Sequence, residues 1–247
     1  MDRLIYSSLA AMRGAMSRQA TIGNNLANVN TSGFRGEMTH AQAMWLSGKG
    51  LDTRATVSGE VAGADMSAGA VAETGRTLDV AVNGDAMLTV QAADGSEAYT
   101  RRGDLQMSDS GLLTTGDGKP VMGDSGPITL PPYDSLSIGK DGAISIIPVG
   151  GKPQDIQVVD RIKLVSSKGS TIAKGLDGLF REVSGGTLPA DPDATVTAGS
   201  LEGSNVNASS ALIDMIDASR SWETQVKMLT TAQDLDKSSA DLMRLPD

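Results

Sequence analysis

The sequence predicts an α+β fold: N- and C-terminal helices forming a coiled-coil layer, with a central, mainly antiparallel β domain and extended connectors between them. Three observations predict it. Apolar residues recur every three or four positions near both ends of the chain. The middle carries short alternating runs separated by Asn-Gly and Asp-Gly turns. Two stretches rich in Gly, Ala, Ser and Thr, with little periodicity, flank that middle.

The N-terminal helix is placed within residues 1–35. Ile5, Leu9, Met12 and Met16 are spaced 4, 3, 4, a seam with the period of a coiled coil. The count continues through Gln19 and Gly23, polar and small, before Leu26 restores the stripe. The C-terminal helix is placed within 205–247. There Leu212, Met215, Ser219, Trp222, Val226 and Leu229 alternate by 3 and 4, and a sevenfold series of Met228, Leu235 and Leu242 follows. A shift of seam turns the apolar stripe toward a different partner. An isolated helix is marginal in water, so both stripes need cover. The simplest pairing joins the two termini, antiparallel or parallel, within one chain or between subunits.

The β domain is placed at 76–183. Leu78, Val80 and Val82 alternate up to Asn83-Gly84, a hairpin signal because both residues tolerate positive φ. Turn signals recur at Asp94-Gly95, Asp109-Ser110-Gly111, Gly116-Asp117-Gly118 and Asp141-Gly142. Between them Ala98–Arg102, Leu112–Thr115, Ile128–Leu130, Ala143–Ile147 and Ile156–Val165 read as strands. Residues 36–75 and 184–204 read as an extended connector and its return.

Composition narrows the function. Only 3% of residues are aromatic while 29 are glycine, which favours short strands and many turns. The net charge of −9 excludes a general nucleic-acid binder, which needs clustered Lys and Arg. Charge is uneven: residues 1–49 carry +3 and the remainder −12, an asymmetry suited to orienting one subunit's N-terminal region on acidic parts of its neighbours. There is no cysteine, so disulfide and thiolate chemistry are out. No apolar run approaches the roughly 18 residues of a membrane helix. Asp2 and Arg13 make the N-terminus a poor signal peptide.

Catalytic motifs are weak. Gly123-Asp-Ser-Gly-Pro127 is similar to the segment around a serine-protease nucleophile but lacks one glycine, and the only histidine, His40, sits near the helical end. A hydrolase using Ser125 is therefore the reading of a different class, and an adhesin with a helical stalk is a third. Gly116-Asp-Gly-Lys-Pro120 fails the phosphate-loop frame. The Asp/Gly turns do not follow the EF-hand frame, and one histidine does not make a zinc or haem site. Trp45 and Trp222 read as packing residues. No cofactor, metal or small-molecule substrate is expected.

Four blocks carry a resemblance. "NNLANVNTSGFRG" (24–36) resembles the N-terminal motif of the flagellar axial proteins, the rod, hook and hook-associated subunits. "GSLEGSNVNASSALIDMIDASRSWETQVKML" (199–229) resembles their C-terminal motif. "LDVAVNGDAMLTV" and "YTRRGDLQMSDSGLLTTGDGKPVMG", with "GLDGLF", are similar to blocks that rod and hook proteins share. Met87-Leu88 stand where relatives often have aromatics, and Ser32 where proline is frequent. The blocks occur in the family's order over most of the chain, and the length suits a proximal rod subunit, a distal one being the alternative. The resemblance implies a structural, non-enzymatic subunit of a helical tube in the basal body, in the periplasmic space. Terminal helices would lie inside and the β domain outside. It implies as partners other rod proteins, further copies of the chain, and the flagellar type III export apparatus, with no cleaved signal and no membrane span.

With that resemblance, the asparagine tract reads as a helix end built for an interface. Leu26 and Val29 continue the stripe. Asn24, Asn25, Asn28 and Asn30 can bond across to neighbouring helices and fix register. Gly33 can supply the positive φ that ends the helix, and Phe34 can anchor the exit. The subunit interface is thus expected at Ile5, Leu9, Met12, Met16, Asn24, Asn25, Leu26, Asn28, Val29, Leu212, Met215, Ile216, Trp222, Val226 and Leu229.

Overall fold

A computed structural model describes residues 2–45 and 55–242, with side chains over 8–39 and 63–240. It is α+β, with a helix toward each end and an antiparallel β domain between. In chain order the elements are α1 (Asp2–Ala27), β1 (Glu37–Trp45), β2 (Ala55–Ala64), β3 (Val71–Glu73), β4 (Val80–Val82), β5 (Ala86–Gln91), β6 (Glu97–Thr100), β7 (Leu105–Met107) and β8 (Leu113–Thr115). There follow β9 (Tyr133–Ile138), β10 (Ala143–Pro148), β11 (Gln157–Arg161), β12 (Leu164–Ser166), β13 (Ile172–Lys174), β14 (Phe180–Glu182), β15 (Val196–Ala198), β16 (Ser200–Glu202) and α2 (Ala208–Leu242).

Two compact units result. The first joins 1–29, 36–65 and 206–247; the second joins 30–35 and 66–205. In the first unit α1 packs against α2 and against the β1–β2 hairpin. α1 stops where residues of poor helix propensity accumulate: the Asn28 amide reaches the carbonyls of Asn24 and Asn25 at 3.1 and 3.2 Å, and the Val29 amide reaches only Leu26. α2 starts at an asparagine cap. Asn207 Oδ1 accepts from the Ser210 amide at 3.1 Å, and its carbonyl accepts from Ala211 at 2.9 Å. The Asn205 amide donates to the Phe34 carbonyl at 3.2 Å, so α1 ends near where α2 begins, and the two packed helices run antiparallel.

The second unit is built on a five-stranded antiparallel sheet, β12-β5-β6-β14-β13, a three-stranded sheet, β11-β10-β9, and the paired ribbons β15-β4, β16-β3 and β7-β8. Leu88, Val90, Leu105, Leu113, Val121, Ile128, Ile144 and Ile162 form its dry centre. Ala86, Leu88 and Val90, two positions apart along β5, put one face of that strand into the core. Tyr99 closes one side of the unit, its phenol oxygen accepting from the Leu188 amide at 2.7 Å. Burial raises the Tyr99 phenol above its ordinary value, partly opposed by that bond.

Several local expectations change. Residues 36–75 do not run as a plain connector: β1 and β2 pair as a nine-residue hairpin with a bulge at Met38/Thr39, and β3 pairs with β16. The return segment 184–204 likewise supplies β15 and β16. Small residues dominate these strands, so no apolar alternation announces them. Ile156–Val165 splits into β11 and β12, and Ile128–Leu130 is tied by isolated bridges through Thr129 and Pro127, with Ile128 and Leu130 buried. Asp94-Gly95 and Asp141-Gly142 do turn hairpins, β5–β6 and β9–β10. Asn83-Gly84 does not. Gly84 has φ +64°, but Asn83 is not at positive φ, so the two-residue hairpin turn that needs both is ruled out. The chain instead crosses from β4, paired with β15, to β5, paired with β6 and β12.

Candidate functional site: the terminal helices and the buried charges at their roots

The sequence-predicted helix residues fall on two different surfaces. On α2 the less exposed positions are Ala211, Met215, Ala218, Trp222, Gln225, Leu229, Ala232, Asp236 and Ser239, alternating by 4 and 3. The heptad is real, but its phase is corrected. Met215, Trp222 and Leu229 belong to it, whereas Ala211, Ala218 and Gln225 replace Leu212, Ser219 and Val226. Leu212, Ile216, Val226, Met228 and Leu235 stand exposed. The covered seam is rich in Ala because small side chains permit close packing along a helix. On α1, Met12 and Leu26 are half-buried, as is Val29 in the turn that follows, while Leu9 and Met16 are 41% and 56% exposed. Among the described side chains of α1, Thr21 and Ile22, absent from the expected seam, are the buried ones. Ile5 lies in α1, but its side chain is outside the described residues, as are those of His40 and Trp45.

The asparagine tract is engaged within the chain. Asn25 Nδ2 donates to the Glu37 carbonyl at 2.9 Å, and its Oδ1 accepts from the Glu37 amide at 2.8 Å. A carboxamide carries the same donor and acceptor as a peptide group, so Asn25 pairs with the first residue of β1 as a strand neighbour would. Asn24 Nδ2 donates to Glu37 Oε1 at 2.7 Å, and Asn28 Nδ2 donates to Asn24 Oδ1 and to its carbonyl at 2.8 and 2.9 Å. Within the chain, Asn24 and Asn25 thereby tie α1 to the start of β1, and Asn28 braces Asn24. Asn30 is exposed.

The chain leaving α1 and the chain entering α2 are tied by a buried charge cluster that sequence reasoning missed. Glu202 accepts at both carboxylate oxygens. Oε1 takes Arg35 Nη2 at 2.6 Å and the Gly69 amide at 2.9 Å; Oε2 takes Arg101 Nε and Nη2 at 2.8 and 2.5 Å. Arg101 also donates from Nη1 to the carbonyls of Gly84 and Ala86, both at 2.6 Å, and from Nη2 to Val82 at 2.7 Å. All five guanidinium donors are thereby used. The carbonyls it takes, those of Val82, Gly84 and Ala86, lie along the crossing from β4 to β5. Burial alone would raise the Glu202 carboxyl, but the hydrogen bonds and charge of Arg101, then those of Arg35 and the Gly69 amide, hold it below the ordinary carboxylate value.

Gly33 and Phe34 sit in the same knot. Gly33 is buried at φ +64°, and its amide donates to the Glu202 carbonyl at 2.7 Å. A Cβ there would lie 2.2 Å from the Arg101 carbonyl oxygen. Phe34, half-buried, has Lys174 Nζ 3.8 Å from its ring centroid, and the same ammonium donates to the Arg35 carbonyl at 3.0 Å. Arg35 and Glu202 stand directly before glycines, Gly36 and Gly203, while Arg101 stands two positions before Gly103.

The segment around Ser125 is an exposed bend. The Gly123 amide closes it on the Gly126 carbonyl at 2.7 Å, and Met122 bridges to Pro127. Asp124 lines a pocket of about 160 Å³ with Asp141, Arg161, Lys163 and Asp191. Its cations are paired, Arg161 with Asp141 at 2.6 Å and Lys163 with Glu97. Among the described residues no three His, Cys, Asp or Glu side chains are grouped to hold a metal, and no helix is long and apolar enough to cross a membrane.

Comparison with known proteins covers both helices and the β domain. The family model described as "Flagella basal body rod protein" matches residues 5–35, "Flagellar hook protein FlgE/F/G D1 domain" matches 81–146, and "Flagellar basal body rod FlgEFG protein C-terminal" matches 197–242. The chain is 41% identical over 240 residues to the flagellar basal-body rod protein FlgF of Escherichia coli K12, with 95% of each chain covered. It is 39% identical to FlgF of Salmonella typhimurium, over 99% of this chain and all of the relative. To the rod protein FlgG of Bacillus subtilis it is 33% identical, over 99% of this chain and all of the relative. The family models and relatives thus span both helices, the residues of the charge cluster and the β domain, and the chain belongs to the flagellar basal-body rod protein family.

Proposed function

We propose that the chain is a structural subunit of the proximal rod of the flagellar basal body, polymerising through α1 and α2 into the axial shaft that passes torque from motor to hook. The observation that carries this reading is the apolar surface left on both helices after they have packed on one another: Leu9, Met16, Leu212, Ile216 and Val226. Each such side chain contributes roughly 1.5–3 kcal/mol when fully covered, so a few per helix hold a subunit in an assembly. In this reading the helices form an inner coiled-coil layer and the β domain an outer one. The half-buried Met12, Met215, Trp222 and Leu229 hold the pair together inside the subunit. Partners are other rod proteins and further copies of the chain, and delivery is through the flagellar type III export apparatus into the periplasmic space. The work consists of many repeated contacts and uses no catalytic group.

The relatives at 41% and 39% identity are both FlgF, and FlgG of Bacillus subtilis stands at 33%, which supports the proximal position. Cryo-microscopy of isolated basal bodies carrying a labelled chain tests it. Density for the label at the membrane-side end of the rod is expected. Density next to the hook would assign the chain to the distal rod, and its absence from basal bodies would remove the rod reading.

A further inference from the structure

Asn83 is the one asparagine of the chain that precedes a glycine; the other six are followed by Asn25, Leu26, Val29, Thr31, Val206 and Ala208. An asparagine cyclises most readily before glycine. With no Cβ, glycine leaves its amide nitrogen unshielded and the backbone free to bring that nitrogen onto the preceding carboxamide. The fold leaves both reacting groups open. Asn83, Gly84 and Asp85 are exposed between β4 and β5. The Gly84 amide, the attacking nitrogen, donates to no acceptor among the described residues, and a Cβ placed on Gly84 would meet nothing within 4 Å. The Asn83 carboxamide rests on β15. Its Nδ2 reaches Thr195 Oγ1 at 3.1 Å and Thr197 Oγ1 at 3.3 Å, and its Oδ1 lies 3.3 Å from Thr197 Oγ1. These exposed contacts are at the long end of the hydrogen-bond range, so they orient the group without locking it. A threonine hydroxyl donating to Oδ1 also draws electrons from Cγ, the atom attacked.

We propose that Asn83 is a site of non-enzymatic deamidation whose isoaspartyl product loosens the buried Arg101–Glu202 pair. The Gly84 nitrogen gives its proton to solvent base and bonds to Asn83 Cγ. The Cγ–Nδ2 bond breaks, and Nδ2 leaves as ammonia with a proton from water. The resulting succinimide then takes up water. Opening between Cγ and the Gly84 nitrogen gives aspartate. Opening between the backbone carbonyl carbon and that nitrogen gives isoaspartate, whose main chain runs through Cβ. The net change is one water taken up and one ammonia released.

The isoaspartyl detour adds one atom to the chain between the Val82 and Gly84 carbonyls. Arg101 holds both, at 2.7 and 2.6 Å, with the guanidinium that also holds Glu202. A planar fork of donors does not follow such a shift, so the change at the surface reaches the buried carboxylate. The aspartyl product has no detour and loses only the Nδ2 contacts to the two threonines.

Ageing the full-length chain in neutral buffer at physiological temperature tests the site. Samples are followed by peptide mapping with mass spectrometry, and isoaspartate is scored by labelling with protein isoaspartyl methyltransferase. Conversion at Asn83 is expected to outpace every other asparagine by about tenfold or more, at a rate near that of a free peptide spanning 80–88. An Asn83 that stays intact while the peptide converts, or that converts no faster than the exposed Asn30, would overturn the site.

A second arm tests the consequence. The isoaspartyl fraction, separated by ion exchange, is expected to unfold at lower urea than the unaged chain. It should also exchange the Gly33 amide faster, because that amide donates to the Glu202 carbonyl. Asn83→Asp, which carries the charge without the detour, is expected to stay near the unaged chain in both, and Asn83→Gln aged in parallel is expected to lose neither. An isoaspartyl fraction as stable as the unaged chain, or an equal loss in Asn83→Asp or in aged Asn83→Gln, would overturn the coupling to Arg101.

Discussion

Arg101 and Glu202, far apart in the chain, form a buried pair in which Nε and Nη2 of the arginine donate to one carboxylate oxygen at 2.8 and 2.5 Å, with the side chains 3% and 1% exposed. Removing one partner of such a pair leaves an uncompensated buried charge, a loss of about 3–5 kcal/mol. Here Glu202→Ala would strand two guanidinium groups. Urea unfolding of the full chain should show that loss as a lowered midpoint. Arg101→Lys should recover little, because one ammonium cannot span the carboxylate and the carbonyls of Val82, Gly84 and Ala86.

The same carboxylate predicts an acid limit. Its folded value lies below its ordinary 4.5, so its contribution is present above the unfolded value and is lost as pH falls through the folded one. Asp117 and Asp177 act in the same direction. For Asp117 burial is opposed by hydrogen bonds from Lys119 and Thr115, and Asp177 is held down first by its bond to Arg181. Thermal melts should be flat from about pH 7 to pH 5 and decline below about pH 4.5. In Glu202→Gln the neutral-pH midpoint should be lower and the acid decline shallower.

Two glycines with the same φ separate strain from collision. Gly33 and Gly84 both lie at φ +64°, but a Cβ on Gly84 meets nothing within 4 Å. Gly84→Ala should therefore cost about 1–2 kcal/mol from the backbone alone. Gly33→Ala, blocked at 2.2 Å by the Arg101 carbonyl, should exceed it clearly in paired thermal melts. Equal effects would mean that the backbone there yields freely.

Asn25 holds the start of β1 through two hydrogen bonds to Glu37. Asn25→Ala leaves that amide and carbonyl without their partner, a loss of about 1–3 kcal/mol. Faster hydrogen exchange at the Glu37 amide is the specific signature, and Asn25→Asp, which keeps the acceptor, should retain part of its protection.

What the sequence discloses follows from the range of each interaction. The two helices were legible from local periodicity, and the Asp94-Gly95 and Asp141-Gly142 hairpins from local turn chemistry. The phase of the α2 seam was not, because periodicity weighs size and apolarity, whereas the covered face selected Ala211 and Ala218 and left Leu212 and Val226 outside. Nor was the β1–β2 hairpin, whose strands are paired through backbone groups common to every residue. Asn83-Gly84 does not close a hairpin, since β4 pairs with β15 and Arg101 takes the carbonyls of Val82, Gly84 and Ala86, and Glu202 meets Arg35 and Arg101 only once the chain has folded. The asparagine tract stands out in the sequence, but its bonds to Glu37 join residues 12 and 13 positions apart and carry no local signal.

The central claim is that α1 and α2 carry the assembly while the β domain is complete without it. Hydrogen exchange read by mass spectrometry on the full chain, free in dilute solution and within isolated basal bodies, tests this most directly. Peptides from α1 and α2 should gain protection in the basal body, most at Leu9–Ala20 and Leu212–Val226, while those from β5 and β6 should exchange equally slowly in both. Helices already fully protected in the free chain, or protection gained only in the β domain, would contradict the account.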